Sequence, residues 1–129
     1  MANPNLVNVA TINAGNLGFN LSATTTTTLL TVDSDVILKI NRITCANVDG
    51  TNSANLDLFV DGMGNGATGI SATGNATVYI AKTVAVPADS TLVVVDSPIY
   101  LMEADVLKGG ASAASDLDLF ISYEVLNDA

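Results

Sequence analysis

Histidine and tryptophan are absent from this chain, cysteine occurs once, and only Lys39, Arg42, Lys82 and Lys108 carry positive charge. Without histidine, the commonest general base, the Ser-His-Asp arrangement and most zinc or iron sites have no starting material. A lone Cys45 cannot build an internal disulfide framework, and inside an apolar strand pattern it reads as a small buried hydrophobe. Four cations against 13 acids give a net charge of -9. That balance repels phosphate backbones and anionic lipids, so neither nucleic acid nor a membrane surface is an expected partner. No apolar run approaches the roughly 18 to 20 residues that span a bilayer, and Met1-Ala2-Asn3-Pro4-Asn5 lacks the basic and apolar regions of a secretory signal. The expectation is a soluble protein made in the cytoplasm.

The remaining chemistry is thin. Glu103 with Asp105, and Asp116 with Asp118, are the carboxylate pairs a hydrolase would need, yet each pair sits two apart on a strand and reads equally as a solvated face. No catalytic constellation follows, and no enzyme activity is expected. The glycine-rich stretch Gly62 to Gly69 has no lysine to reach a phosphate and is not a P-loop. Asp33, Asp35, Asp49, Asp57 and Asp61 supply hard oxygens suited to calcium, but without EF-hand spacing they read as turn formers, and no cofactor or metal is expected.

What the chain does have is period two. Its 129 residues are 49% hydrophobic and 13% charged, enough apolar content for one core and too short for two domains. Leu6 to Ile12 reads as an edge or arm strand, and the β-branched run Thr24 to Thr28 leads extended into Leu29-Leu30-Thr31-Val32. Val36, Leu38 and Ile40 point one way while Ile37, Lys39 and Asn41 point the other, and the pattern resumes one residue out of phase at Ile43 and Cys45, which predicts a bulge near Asn41-Arg42. Further strands are expected at Leu56 to Asp61, Thr77 to Ala85, Thr91 to Asp96, Ile99 to Leu107 and Leu117 to Leu126, with Pro87 to Ser90, Ser97-Pro98 and Gly109 to Ser112 as separators. Seven or eight short strands predict an all-β fold: one two-layer antiparallel β-sandwich over 1–129, of jelly-roll or Greek-key type, with 1–13 as an N-terminal arm or edge strand.

Asn55-Leu56-Asp57-Leu58-Phe59 and Asp116-Leu117-Asp118-Leu119-Phe120 share the string Leu-Asp-Leu-Phe. If the leucines face the core, alternation places Phe59 and Phe120 on the outer faces with the aspartates, where a large apolar ring is either covered by its own subunit or kept for contact. Phe59, Phe120 and Tyr79 are the expected subunit contacts. The arm, with Asn3, Pro4 and Leu6, suits docking on a neighbour's sheet edge by strand addition.

The C-terminal third carries a resemblance. Val86-Pro87-Ala88-Asp89-Ser90-Thr91-Leu92, Asp96-Ser97-Pro98-Ile99-Tyr100-Leu101-Met102-Glu103-Ala104-Asp105-Val106-Leu107, and the stretch from Ala111 to Leu119 with Ser122-Tyr123-Glu124 resemble the C-terminal half of small virion proteins of tailed bacteriophages. In those, a strand ending Leu-x-Glu-Gly-Asp-x-Leu leads through a small-residue turn to a last strand closing with Ser-Tyr-Glu. Ala104 stands where the glycine usually does. The resemblance implies a jelly-roll subunit that decorates or cements a capsid, partnered by the phage major capsid protein and by its own copies, a trimer being favoured by analogy. A neck, tail or fibre component is the nearest alternative. A carbohydrate-binding module is the alternative of another class, although only Tyr79, Tyr100 and Tyr123 could serve it as tyrosine platforms, and Tyr123 is expected to face inward.

Overall fold

The computed structural model describes residues 6–62 and 71–127. After a 3-10 turn at Leu6–Asn8, the alternating runs become nine strands: β1 (Thr11–Asn20), β2 (Thr28–Thr31), β3 (Val36–Asn47), β4 (Ala54–Asp61), β5 (Val78–Val86), β6 (Thr91–Val95), β7 (Ile99–Leu101), β8 (Val106–Ala111) and β9 (Leu117–Asn127). All pairings are antiparallel. One sheet runs β1-β9-β3-β6 with β7 also on β3, and the other runs β2-β8-β4-β5.

β6 and β7 occupy successive stretches of one edge of β3. They are one strand interrupted at Asp96-Ser97-Pro98, where proline has no N–H to give a ladder. With that strand counted once, each sheet has four strands and every connection except β4 to β5 crosses between sheets. This is the double Greek key of a jelly roll.

Alternation puts Leu56 and Leu58 of β4, Leu107 of β8, Ile40, Ile43 and Cys45 of β3, and Leu117, Leu119 and Ile121 of β9 between the sheets, each at most 1% exposed. Each such large side chain contributes about 1.5–3 kcal/mol relative to exposure. The expected bulge is present: Ile40 pairs with Tyr123 and Arg42 with Ser122, so Asn41 is the extra residue that returns Ile43 and Cys45 to the core. Burial, followed by the charge of Asp118, pushes the Cys45 thiol up to about 11, so it stays protonated at neutral pH and acts as packing.

Three local expectations need correction. Leu6 to Asn8 is a 3-10 turn, and the first strand begins only at Thr11 and runs on to Asn20. The threonine run is largely a turn: the Thr27 amide and hydroxyl both donate to the Thr24 carbonyl, at 3.3 and 2.8 Å. Hydroxyls that bond the local backbone in this way compete with a ladder and outweigh β-propensity here. The Ile99 to Leu107 run is two strands, and Gly109 and Gly110 lie inside β8 rather than in a separator.

The break between β7 and β8 is a four-residue turn. The Met102 amide donates to the Asp105 carboxylate at 2.9 Å, and the Asp105 amide donates to the Met102 carbonyl at 3.0 Å. Ala104 takes φ 71, a region that costs a residue with a Cβ about 1–2 kcal/mol. Ala104→Gly removes that cost and adds unfolded-state entropy of about 0.5–1 kcal/mol. The expected net result is a gain of about 0.5–1 kcal/mol, read as a higher urea midpoint at unchanged slope.

Candidate functional site

The register fixes what each sheet shows to its outside. On the first sheet, Gly18, Phe120, Thr44 and Val93 form one row, Ala14, Glu124, Lys39 and Tyr100 a second, and Asn20, Asp118 and Ala46 a third. Phe120 is 50% exposed because its two strand neighbours are a glycine and a threonine, too small to cover a ring. A depression of about 320 Å³ opens beside it, lined by Gly18, Asn20, Thr44, Ala46, Asp118 and Phe120 among others. Its polar rim is fixed: the Asn20 amide donates to Asp118 at 2.7 Å and to the Ser115 carbonyl at 3.2 Å. Tyr100, Val93 and Ile12 are exposed on the same face.

The other sheet answers the same string differently. Phe59 was expected to be open for contact, and instead it is 6% exposed. Its neighbours across the ladders are Tyr79 and Lys108. The Tyr79 ring lies 4.8 Å from that of Phe59, and the Lys82 ammonium sits 4.5 Å over the Tyr79 ring. Lys108 Nζ meets Asp61 at 2.9 Å. Phe59 is therefore covered within its own subunit, and Tyr79 is its cover, still about half exposed on the outside. Leu6 is exposed in the 3-10 turn. Asn3 and Pro4 lie outside the described residues, as does the glycine-rich stretch beyond Gly62.

Three of the aspartates considered for calcium, Asp49, Asp57 and Asp61, have carboxylates with local partners. Asp57 accepts the Thr83 amide at 2.6 Å, which holds β5 at a residue with φ 50. Asp61 accepts from the Thr77 hydroxyl at 2.7 Å, and that bond, then Lys108 and the Gly62 amide, hold its carboxyl down at about 2. The Thr51 amide first, then Asn52, lower the Asp49 carboxyl. The Asp35 amide, in turn, donates to Glu103 at 2.8 Å across two loops. Among the described residues no three His, Cys, Asp or Glu side chains are grouped to hold a metal ion, and no helix is long and apolar enough to cross a membrane.

Charge is segregated in a way the sequence did not announce. All four cations lie on strands, Lys39 and Arg42 on β3, Lys82 on β5 and Lys108 on β8, and four acids, Asp57, Asp61, Asp118 and Glu124, lie on strands with them. The strands are thus neutral, and eight of the remaining nine acids fall outside them, the ninth, Asp128, lying outside the described residues. No family model, curated protein or solved structure matches this chain.

Proposed function

We propose that this chain is a non-enzymatic structural protein of a bacteriophage particle, a capsid decoration or cement subunit that lies on the shell and binds the major coat protein. The observation that carries this reading is the uncovered Phe120 ring on the outer face of the first sheet, flanked by Gly18 and Thr44 within a row that ends in Val93. The matching Phe59 ring on the second sheet is covered by Tyr79, whereas Phe120 is left open with Tyr100, Val93 and Ile12 exposed on its face, and exposed rings of this kind are a feature of contact surfaces. The jelly roll supports the reading as an architecture shared by capsid and lectin domains, and the C-terminal resemblance adds the phage context. The action is mechanical: the face buries apolar surface against the shell, with neutral strands meeting the partner and acidic loops left in water.

Counting copies per coat protein in purified particles by quantitative mass spectrometry tests the position. Copies comparable to the coat protein support a shell role, a few per particle move the chain to the neck, tail or fibre, and absence overturns the virion reading. Phe120→Asp tests the face. Burying the exposed half of this ring contributes about 1 kcal/mol, and the introduced carboxylate would have to be desolvated in the contact at a further cost of about 1 kcal/mol or more, so the variant should bind coat-protein shells at least about tenfold more weakly in co-sedimentation. Its melting temperature should fall by only a few degrees, because replacing a half-exposed ring on a strand costs about 1 kcal/mol. Equal binding by variant and wild type would remove the face from the mechanism.

A further inference from the structure

A sheet edge presents unpaired N–H and C=O groups, and proteins blunt it with shortness, proline, charge or bulges. Three edges of this sandwich carry such devices. β2 has four residues and a register break between Thr28 and Leu30. β5 breaks register twice against β4, carries Lys82 and turns to positive φ at Thr83. The β6–β7 edge is cut at Pro98 and breaks register between Ile43 and Thr44.

β1 carries none of them. Its ten residues contain no charge and no proline, and its ladder to β9 runs unbroken from Thr11 opposite Asn127 to Asn20 opposite Asp118. Among the described residues it pairs with β9 alone. Leu21 N–H donates to the Leu117 carbonyl at the end of the same ladder, which sets the alternation: odd-numbered residues of β1 turn their main-chain groups to β9, and Ile12, Ala14, Asn16 and Gly18 turn theirs outward.

We propose that β1 is a pairing edge for β1 of a second copy of this chain, the two joined antiparallel about a two-fold axis into one continuous eight-stranded sheet, with β6–β7 counted once. With one open edge per subunit, edge pairing must join like to like, which closes at a dimer and cannot propagate into a ring or fibre. Charge agrees. The acidic loops disfavour end-to-end approach of two copies, while the uncharged β1 lets them meet side by side. The seam also continues the face described above, since Phe120 sits one strand in from β1, so both rings of the dimer open on one surface. The inference stands independently of the virion reading. A contact of about ten residues a side falls below the roughly 20–30 of a standard interface, so the dimer belongs to the weak class.

Sedimentation velocity of the full chain, from about 1 µM to about 1 mM to bracket that class, tests it with two edge variants. Asn16→Pro removes one outward N–H and leaves the β9 ladder whole. Asn16→Lys adds the charge that edges normally carry, and it decides the matter if the proline variant does not fold. The expected result is a concentration-dependent monomer–dimer equilibrium in the wild type, weakened at least about tenfold by the edge variants and unaffected by Phe120→Asp. A wild type that stays monomeric throughout, a trimer, or a dimer that survives in a folded edge variant would overturn the proposal. Loss of shell binding in Phe120→Asp with the dimer intact would separate the two surfaces.

Discussion

Replacing Asn47 by leucine is expected to destabilise the fold by roughly 3 to 5 kcal/mol, although leucine is the more hydrophobic residue and the site is only 3% exposed. Asn47 ends β3 and ties three segments at one end of the sandwich. Its amide nitrogen donates to the Val86 carbonyl at 2.9 Å and to the Asn52 carbonyl at 3.0 Å, and its side-chain oxygen accepts the Asp49 amide at 2.9 Å. The Val86 carbonyl is left buried without a partner at a cost of about 1–3 kcal/mol, and the two part-buried groups lose about 1 kcal/mol of net hydrogen bonding each. For a chain of this size the loss corresponds to a fall in melting temperature of about 10 to 20 °C, measurable by calorimetry.

A companion substitution isolates hydrogen bonding from packing. Asn47→Asp keeps the acceptor for Asp49 and turns a carboxylate toward two carbonyl oxygens, so burial and those dipoles raise the introduced group's folded pKa. A raised folded pKa makes the variant relatively more stable below the unfolded carboxyl range and less stable as pH rises through the folded value. The deficit of Asn47→Asp should therefore shrink toward acid while that of Asn47→Leu does not. Parallel pH profiles for the two variants would show that shape, rather than donor count, sets the cost.

The inward face was legible because burial of an alternating strand depends on the strand itself. Leu56, Leu58, Leu117 and Leu119 were assigned to the core by period two, and the phase slip before Ile43 located the Asn41 bulge. The outward face was not legible in the same way. Phe59 and Phe120 share a tetrapeptide, and what separates them is the residue opposite on the next strand, Tyr79 and Lys108 for one, Gly18 and Thr44 for the other. Cross-strand neighbours are set by register between segments far apart in sequence, which local periodicity does not contain. The extent of the edge strand was obscured for a related reason: Leu6 to Ile12 reads as an edge or arm strand, but Gly15 and Gly18 dilute the apolar pattern beyond it, and only the topology shows that the strand continues to Asn20.

The misread glycines of β8 carry the other large expected effect. Gly109→Ala should cost upward of about 3 kcal/mol and abolish soluble expression if the wild-type margin is small, since overpacking against rigid backbone exceeds the usual 1–3 kcal/mol of a crowded core. A Cβ at Gly109 would press into the Asp57 carbonyl oxygen and lie 3.2 Å from the Leu58 Cα, on the β4 strand with which β8 pairs. Backbone of a central strand cannot step aside without breaking the ladder that aligns Leu56, Leu58 and Val60. Glycine inside a strand marks close backbone approach rather than a turn, and composition alone gives no means of telling those apart. Gly18→Ala is the matched control: a Cβ there meets nothing within 4 Å, so that variant should be neutral or slightly stabilised by its lower unfolded-state entropy. Comparing the two in urea unfolding tests the claim directly, and a Gly109→Ala midpoint as high as that of Gly18→Ala would mean that β8 and β4 do not approach as closely as the structure places them.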